Sequence, residues 1–261
     1  MKSKKKFILA FAVYNSYQNI ANILSSIKKT HYNNLINEIV IVDNNSKLIK
    51  KDKIQVINSI SKKFDKKIKL IINTKNYGLG GSQKILFKHL KNKKFDYFIN
   101  AHTSGRYKVI DQLRFLNKTN KYDYIIASRF SNKSYSKDYS FLRRLANVLF
   151  QKITSFVSNN KLSDPGSAIY IMKKELLKKI FYDVQKLTNY SHFNHLLNIL
   201  IQKKTNQYFE YPIKWKDGNI KSHLNPSKYI VVLFFSLIKF YFTKSFFNQK
   251  KIKFNYEKYI F

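Results

Sequence analysis

The chain has 261 residues, of which 44% are hydrophobic, and it carries a formal net charge of +36. A chain of this length and apolar content can bury one large core, which excludes a disordered tail. It contains no cysteine, so disulfide bonds and thiolate metal sites are excluded as well.

The positive charge creates a long-range field that attracts polyanions such as nucleic acid, anionic lipid headgroups and phosphorylated small molecules. Lysine and arginine total 50, and asparagine and isoleucine are also abundant, so a compositional bias explains the charge equally well. The positions of the few arginines are therefore more informative than the number of lysines. They are Arg106, Arg114, Arg129, Arg143 and Arg144.

The first half of the chain alternates strand and helix patterns. Residues 7–13 are an apolar run without a following small-residue cleavage site, which predicts a first strand rather than a secretion signal. Further strands are predicted at residues 39–42, 68–72, 95–99 and 124–127. Helices are predicted near residues 17–29 and 52–64, from the end of the segment 76–82 to residue 90, and near 108–116. This alternation predicts parallel βαβ units, and so an α/β fold with a mainly parallel, Rossmann-like sheet flanked by helices.

After about residue 140 the pattern changes to helices at 141–157, from 173, at 192–202 and at 229–242, with strands at 168–172 and 207–213. We expect one domain over residues 1–223 and a C-terminal amphipathic, helical extension over 224–261. Residues 229–242 are shorter than the roughly 18 apolar residues that a spanning helix needs. They predict either a helix in a bilayer interface, with lysines among the headgroups, or a helix buried against the sheet.

Polar clusters follow three of the predicted strands, at residues 14–15, 43–46 and 100–106. Ligands of open α/β sheets bind beyond the carboxyl ends of the strands, so these clusters predict one shared pocket. Glycines at positions 78, 80 and 81 predict a further loop after the third strand. Their spacing matches neither a Rossmann fingerprint nor a P-loop.

Five motifs, in order, resemble those of family 2 glycosyltransferases with the GT-A fold. One of them, residues 164–170 (DPGSAIY), is similar to a segment of the polyprenyl-phosphate sugar transferase branch, the relatives of dolichol-phosphate mannose synthase. The resemblance covers roughly residues 7–228. The other motifs are residues 12–15 followed by 19–20 (AVYN, NI), 39–46 (IVIVDNNS), 76–82 (NYGLGGS) and 127–129 (ASR).

The resemblance implies transfer of a sugar, with inversion, from a nucleotide diphosphate sugar, and it assigns roles to matching positions. Tyr14, Asn15 and Asp43 would hold the nucleoside; the less favoured alternative for Asp43 is a turn or helix-cap residue. The base pocket would be lined by Asn76 and Gly78. The remaining positions for the nucleotide sugar are Ser104, Arg106 and Arg129.

Guanidinium groups match phosphate geometry, so Arg129 with Arg143 or Arg144 would bind the diphosphate or a lipid phosphate. For Arg143 and Arg144, a solvated helix face is the alternative. The chain departs from the family at its opening motif and near residues 216–222, where the spacing differs.

The most important departure concerns the metal-binding Asp-x-Asp motif, which is replaced by His102, Thr103 and Ser104. Three alternatives follow. The first is a divalent metal held through His102, which suits manganese better than magnesium. The second is stabilisation of the diphosphate by His102, Arg106 and nearby lysines without a metal. The third is a site that no longer catalyses.

No carboxylate is an obvious catalytic base. Asp164 is the best-placed candidate, and its alternative role is to orient the loop around Pro165 and Gly166. A polyprenyl phosphate already carries its nucleophilic oxygen, so the missing base favours a lipid-phosphate acceptor.

We therefore expect an inverting glycosyltransferase that is peripheral on the cytoplasmic face of the cell membrane. Its predicted partners are a nucleotide sugar, a polyprenyl phosphate or glycan acceptor, and an anionic membrane surface. The rival hypothesis is a noncatalytic basic protein that uses the same fold to bind nucleic acid or an anionic glycan. The aromatic residues of this chain fall within apolar periodic runs, which indicates that they form a core rather than platforms for stacked bases. No nucleic acid partner is therefore expected.

Overall fold

The computed structural model describes residues 5–64, 66–131, 134–137, 141–159, 161–216, 226–243 and 253–261, with residues 135–137, 142–143 and 226–228 described by their backbone alone. Its strands are β1 Phe7–Val13, β2 Ile36–Asp43, β3 Lys67–Asn73, β4 Tyr97–Ala101, β5 Tyr124–Ser128, β6 Tyr135–Lys137, β7 Tyr170–Lys173, β8 Tyr208–Pro212, β9 Lys214–Lys216 and β10 Tyr256–Ile260. Its α-helices are α1 Tyr17–Lys28, α2 Lys50–Phe64, α3 Gly78–Leu90, α4 Val109–Leu113, α5 Phe141–Ser158, α6 Lys174–Gln185, α7 Phe193–Gln202 and α8 Pro226–Thr243. Short 3₁₀ helices span His31–Leu35 and Arg114–Asn120.

Eight strands form one mixed sheet in the order β10-β3-β2-β1-β4-β7-β5-β8. The pairs β1–β2, β2–β3, β1–β4 and β5–β8 are parallel, whereas β7 runs antiparallel to both of its neighbours. Strands β6 and β9 form a separate parallel pair. The predicted α/β architecture, with a mainly parallel sheet, flanking helices and a C-terminal helical extension, is confirmed.

Strand β1 shows why the centre of the sheet reads as a continuous apolar run. Ile8 and Ala10 belong to the core on one face of the sheet, whereas Phe7, Leu9 and Phe11 belong to the core on the other. A strand covered on both faces has no solvent side to mark with polar residues. The sequence FILAFAV therefore fits a central position in a parallel sheet.

The glycine-rich segment differs from its prediction, because α3 begins at Gly78 and includes positions that were expected in a loop. A Cβ atom on Gly80 would lie 2.4 Å from the carbonyl oxygen of Thr188 and 2.9 Å from the Phe193 side chain. The backbone N–H of Gly80 donates to Asn189 O at 2.9 Å. Gly80 is thus required for close packing of the α6–α7 connection on the helix, rather than for a turn.

The C-terminal segment contributes a strand that the sequence patterns did not predict. Strand β10 pairs antiparallel with β3, from Tyr256 opposite Asn73 to Ile260 opposite Lys69. The predicted boundary at residue 223 and the motif-like residues 217–222 lie outside the described residues, so the division into two parts stays a prediction. Across the described ranges, no helix combines the length and the apolar character needed to cross a membrane.

Candidate functional site

The sheet brings the first and second polar clusters close to the third. Strand β1 lies between β2 and β4, with Val13 opposite Asp43 and Phe11 opposite Ala101. Neighbouring strands are about 4.8 Å apart, so the ends of β2 and β4 are separated by about 10 Å. Asp43 and the residue after Ala101, His102, therefore lie at the same edge of the sheet, as predicted for a shared pocket.

Hydrogen bonds also join the loop after β1 to the loop after β4. Ser16 Oγ and Thr103 Oγ1 are 2.7 Å apart, and Asn19 Nδ2 donates to Thr103 O at 2.7 Å. These bonds hold the two loops in one arrangement. The first turn of α1 thus supports the loop that carries His102 and Thr103.

Asp43 is fully buried, and its carboxylate is satisfied within the protein. Oδ2 lies 2.8 Å from Lys53 Nζ, and that lysine side chain is itself only 4% exposed. Oδ1 accepts hydrogen bonds from the backbone N–H of Ser46, at 3.1 Å, and from the Ser46 hydroxyl. This arrangement favours the turn-residue alternative for Asp43, and its nucleoside-binding role stays a prediction.

Asn15 has a left-handed backbone conformation, with φ of 52°. Its backbone N–H donates to Ser46 Oγ at 2.8 Å, and its Oδ1 accepts from the N–H of Lys47 at 2.8 Å. Asn15 thereby ties the loop after β1 to the loop after β2. Tyr14, which precedes it, is half-buried at the same edge.

Three asparagines form a continuous network, which we call the asparagine network: Asn44, Asn73 and Asn76. Asn44 Nδ2 donates to Asn76 Oδ1 at 2.8 Å, and Asn73 Nδ2 donates to Asn44 Oδ1 at 3.4 Å. Asn76 Oδ1 also accepts from the N–H of Gly78 at 2.9 Å. Of these residues only Asn76 and Gly78 were predicted. The signal for Asn44 was its place directly after Asp43 at the end of β2.

A cavity of about 580 Å³ opens beside this network, at the ends of β2, β3 and β10. Asn73 lines it and is 1% exposed, and its Oδ1 has no hydrogen-bond partner among the described residues. Other lining residues are Ser46, Lys47, Lys50, Lys53 and Glu257.

The loop after β4 holds His102 through its backbone, whose N–H donates to Tyr107 Oη at 3.0 Å. The Nδ1 atom of His102 is buried and has no hydrogen-bond partner in the described part of the chain. Burial, together with the charges of Arg106 and Arg129, lowers the pKa of His102 to about 4. The imidazole is therefore neutral near pH 7.

Trp215 on β9 lies close to both arginines. The Arg106 and Arg129 Cζ atoms lie 5.9 and 5.4 Å from the centre of its ring, and Tyr107 stacks on it at 6.4 Å. Trp215 is 6% exposed, and its Nε1 has no hydrogen-bond partner among the described residues. We call His102, Arg106, Arg129 and Trp215 the donor cluster. Trp215 had no sequence signal, since it lies far along the chain in a three-residue strand.

Asp164 forms a two-point ion pair with Arg129. Arg129 Nε donates to Oδ2 at 2.7 Å, and its Nη2 donates to Oδ1 at 2.8 Å. The Asp164 side chain is 2% exposed, so this is a buried pair. Because both carboxylate oxygens accept from the guanidinium, the geometry favours an orienting role for Asp164 over a catalytic base, and the base role stays a prediction.

His195 packs beside the loop that carries Asp164, and sequence patterns did not indicate it. Its Nδ1 lies 2.8 Å from Tyr229 Oη, which links α7 to α8. A Cβ on Gly166 would lie 2.4 Å from His195 Cε1, so the loop after Asp164 packs directly on the imidazole. Burial lowers the pKa of His195 to about 3.

The other predicted residues are placed less centrally. Ser104 Oγ accepts from the N–H of Arg106 at 3.4 Å, which shapes the loop after β4. Arg144 is exposed on α5, and no contact among the described residues joins it to the donor cluster. The side chain of Arg143 lies outside the described residues.

A profile of "Glycosyl transferase family 2" matches residues 9–181 of this chain, which is more than half of its length. The chain belongs to glycosyl transferase family 2. A search of curated protein sequences finds no match.

Solved structures agree with this family assignment at the level of the fold. Glucosyl-3-phosphoglycerate synthase from Mycobacterium tuberculosis, in complex with Mn²⁺, UDP and glucosyl-3-phosphoglycerate, has a TM-score of 0.55 at 10% identity, covering 99% of this chain and 88% of its own. TarS from S. aureus, in complex with UDP-GlcNAc, has a TM-score of 0.53 at 15% identity, covering 87% of this chain and 66% of its own. The fold of this glycosyltransferase is therefore of the GT-A type.

The residues of this glycosyltransferase fit a divalent metal poorly. Within the described ranges, no three histidine, aspartate or glutamate side chains converge as a metal site requires. Both carboxylate oxygens of Asp164 already accept from Arg129, and His102 could contribute only one nitrogen ligand. The charges of Arg106 and Arg129 that lower the pKa of His102 also oppose the approach of a cation.

Proposed function

We propose that this glycosyltransferase moves a sugar, with inversion, from a nucleotide diphosphate sugar to a polyprenyl phosphate. A lipid-linked or surface glycan intermediate is the alternative acceptor. The observation that carries the proposal is the donor cluster at the carboxyl edge of the sheet in a family 2 fold. A nucleotide sugar as donor is further supported by the structural neighbours, whose solved complexes contain UDP or UDP-GlcNAc.

In this proposal, two parts of the nucleotide sugar bind to two different regions at the edge of the sheet. We assign the nucleoside to the region around Tyr14, Asn15 and Asn76, where the cavity beside Asn73 leaves room for it. We assign the diphosphate to the donor cluster, about two strands away. The two regions are neighbours, as the nucleoside and the diphosphate are in a nucleotide sugar.

A phosphate acceptor is consistent with the ion pair between Asp164 and Arg129. Its anionic oxygen can attack C1 of the sugar without losing a proton, so no side chain has to act as a base. A hydroxyl acceptor would need such a base. The bidentate pair with Arg129 leaves Asp164 poorly suited to that task.

Association with an anionic membrane is the second part of the proposal. On α8, apolar side chains at Val231, Phe234, Phe235 and Phe242 are 42–78% exposed and recur on one helical face. On α5, a similar stripe is formed by Phe141, Leu145, Val148, Leu149 and Phe156, which are 39–77% exposed.

The two stripes meet where Phe156 stacks on Tyr241, with ring centroids 5.7 Å apart. Exposed cationic residues, including Arg144, Lys152 and Lys239, lie on the same helices. An apolar face rimmed by cations is suited to the interface of an anionic bilayer. A second copy of the chain could cover the same face, and the vesicle experiment below separates the two.

Donor binding and turnover test the enzymatic part. The purified chain is titrated with UDP- and GDP-sugars, and nucleotide release is measured with a polyprenyl phosphate, a soluble glycan or no acceptor. We expect release that depends on the polyprenyl phosphate. Binding of a nucleotide sugar without release by any acceptor would favour the noncatalytic alternative, and absence of binding would reject the proposal.

Vesicle flotation tests the membrane part. We expect recovery with anionic vesicles, less with neutral ones, and loss in the double variant Leu145→Ser/Phe235→Ser. Ile49→Ser is the matched control, because Ile49 is 62% exposed on a different surface. A concentration-dependent dimer that Leu145→Ser/Phe235→Ser disrupts, without flotation of the parent, would assign the face to a second copy instead.

A further inference from the structure

We infer that the donor cluster takes the place of the divalent cation, so that this chain binds and releases the diphosphate without a metal. The inference rests on the proposed function for its ligand, since it identifies the diphosphate of the donor as the group that the cluster holds. It goes further by assigning the leaving-group charge to Arg106 and Arg129, with Trp215 as a neutral donor.

The hydrogen-bonding character of the cluster is that of an anion site. Guanidinium groups carry only donors, and an indole nitrogen is a donor as well. The Nε1 of Trp215 is buried and has no acceptor among the described residues, although buried polar groups are usually satisfied. A phosphate oxygen would supply the missing acceptor.

Packing holds the two guanidinium groups in position before a ligand arrives. Both lie within 6 Å of the Trp215 ring, which favours a cation over its face. Trp215 is fixed in turn by stacking on Tyr107 and by the pairing of β9 with β6. The N–H of Lys216 donates to Arg106 O at 2.8 Å, which ties β9 to the loop after β4. Preorganised donors of this kind stabilise developing negative charge effectively.

Asp164 supports this arrangement by orienting Arg129. Its two oxygens hold the Nε and Nη2 groups of the guanidinium, and Oδ2 also accepts the backbone N–H of Arg129 at 3.1 Å. The loop that carries Asp164 is itself held by Glu210, whose Oε1 accepts from the N–H of Asp164 at 3.2 Å. Asp164 is therefore a positioning residue in this scheme.

The reaction balances without a further co-reactant. An acceptor phosphate oxygen forms a bond to C1 of the sugar, while the bond between C1 and the oxygen that joins it to the β-phosphorus of the donor breaks. The electron pair of the broken bond stays on that oxygen, so the leaving nucleoside diphosphate gains one negative charge. Arg106, Trp215 and those N–H groups of Arg129 that Asp164 does not hold would donate to this oxygen and its neighbours, which is the role of a divalent cation in a metal-dependent enzyme.

Calorimetric titration with two probes, UDP and inorganic pyrophosphate, tests the inference, each in excess chelator and in Mn²⁺. We expect the Kd of both probes in chelator to lie within about twofold of the value in Mn²⁺. In chelator, Arg106→Gln should weaken both probes by about tenfold to a hundredfold, the range for loss of a charged hydrogen bond. Arg106→Lys should recover part of this loss, because it retains the charge but not the fork.

Trp215→Phe should weaken both probes less than Arg106→Gln does, since it removes one neutral donor and keeps an aromatic face. Arg114→Gln is the matched control, because the Arg114 side chain is 66% exposed and pairs with Asp111 away from the cluster. Its Kd values should equal those of the parent chain. Thermal unfolding of each variant verifies that the fold is retained.

Three outcomes would overturn the inference. They are loss of pyrophosphate binding in chelator with recovery in Mn²⁺, equal binding by Arg106→Gln and the parent chain, and equal losses in Arg106→Gln and Arg114→Gln. Failure of the proposed function looks different: pyrophosphate binds in chelator and depends on Arg106, whereas no nucleotide or nucleotide sugar binds.

Discussion

The asparagine network and the donor cluster lie at the same edge of the sheet, yet they satisfy their polar groups in different ways. Around Asp43 and Asn44, the described side chains bond mainly to one another and to nearby backbone N–H groups. In the donor cluster, Trp215 Nε1 and His102 Nδ1 are buried without partners among the described residues. The first region is therefore held mainly by contacts within the protein, although Asn73 Oδ1 has no partner among the described residues there, whereas in the donor cluster we expect a ligand to supply the missing partners.

The largest effect is expected from Lys53→Met, which leaves the fully buried Asp43 carboxylate without its cation. Removing one partner of a buried pair typically costs about 3–5 kcal/mol in the free energy of unfolding, which denaturant titration measures. Lys50→Met is the control, because the Lys50–Glu257 pair is about half-exposed, and it should change stability far less. Equal effects of the two variants would show that the buried pair does not hold the Asp43 region.

Asp164→Asn should act on turnover through Arg129. We expect kcat/KM to fall by about 10- to 150-fold, since the variant loses a charged hydrogen bond that orients the guanidinium. Any acidic limb in the dependence of kcat on pH comes from protonation of the acceptor phosphate in this scheme, so it should be the same in Asp164→Asn and in the parent chain. Loss of that limb in Asp164→Asn would return the base role to Asp164.

Gly80→Ala tests the packing that supports the asparagine network from α3. The new methyl group would meet the Thr188 carbonyl at 2.4 Å, and such overpacking costs about 1–3 kcal/mol of stability. Gly105→Ala offers a contrast, because its Cβ would make only an ordinary contact, with Asn19 Nδ2 at 3.9 Å, but its φ is 73°. We expect the Gly105 variant to lose about 1 kcal/mol from backbone strain alone. A smaller loss for Gly80→Ala than for Gly105→Ala would contradict the packing explanation.

The buried histidines near the donor cluster predict a pH dependence of stability. Burial lowers the pKa of His195 to about 3 and that of His192 to about 4, whereas an unfolded histidine titrates near pH 6.5. The unfolded state therefore binds more protons below about pH 6.5, and folding stability must fall as the pH falls towards 4.

Each buried histidine contributes a slope of at most about 1.4 kcal/mol per pH unit in that window. Denaturant titrations at pH 7, 6 and 5 measure the total slope. His195→Asn should reduce it, and His31→Asn, at an exposed position, should leave it unchanged. A slope that does not respond to His195→Asn would mean that the imidazole is accessible to solvent.

The alternation of elements could be read from the sequence because a buried parallel strand has a recognisable composition. Strand β1 was predicted at Phe7–Val13, as observed, and β2 and β3 were predicted to within three residues of their observed ends. Strand β10 was missed, since an edge strand with three of its five side chains exposed has no continuous apolar run. The short strands β6 and β9 were missed because three residues carry too little periodicity.

By itself, the sequence determined the α/β class, the loops that meet at one edge of the sheet, and the absence of an aspartate pair after β4. It could not determine how polar groups are shared within that edge. Only the tertiary structure decided that Lys53 forms an ion pair with Asp43, that Arg129 forms one with Asp164, and that two arginines lie within 6 Å of the Trp215 ring. The physical reason is that a hydrogen bond or ion pair depends on the distance between two side chains. That distance is fixed by packing of the whole sheet, and not by separation along the chain.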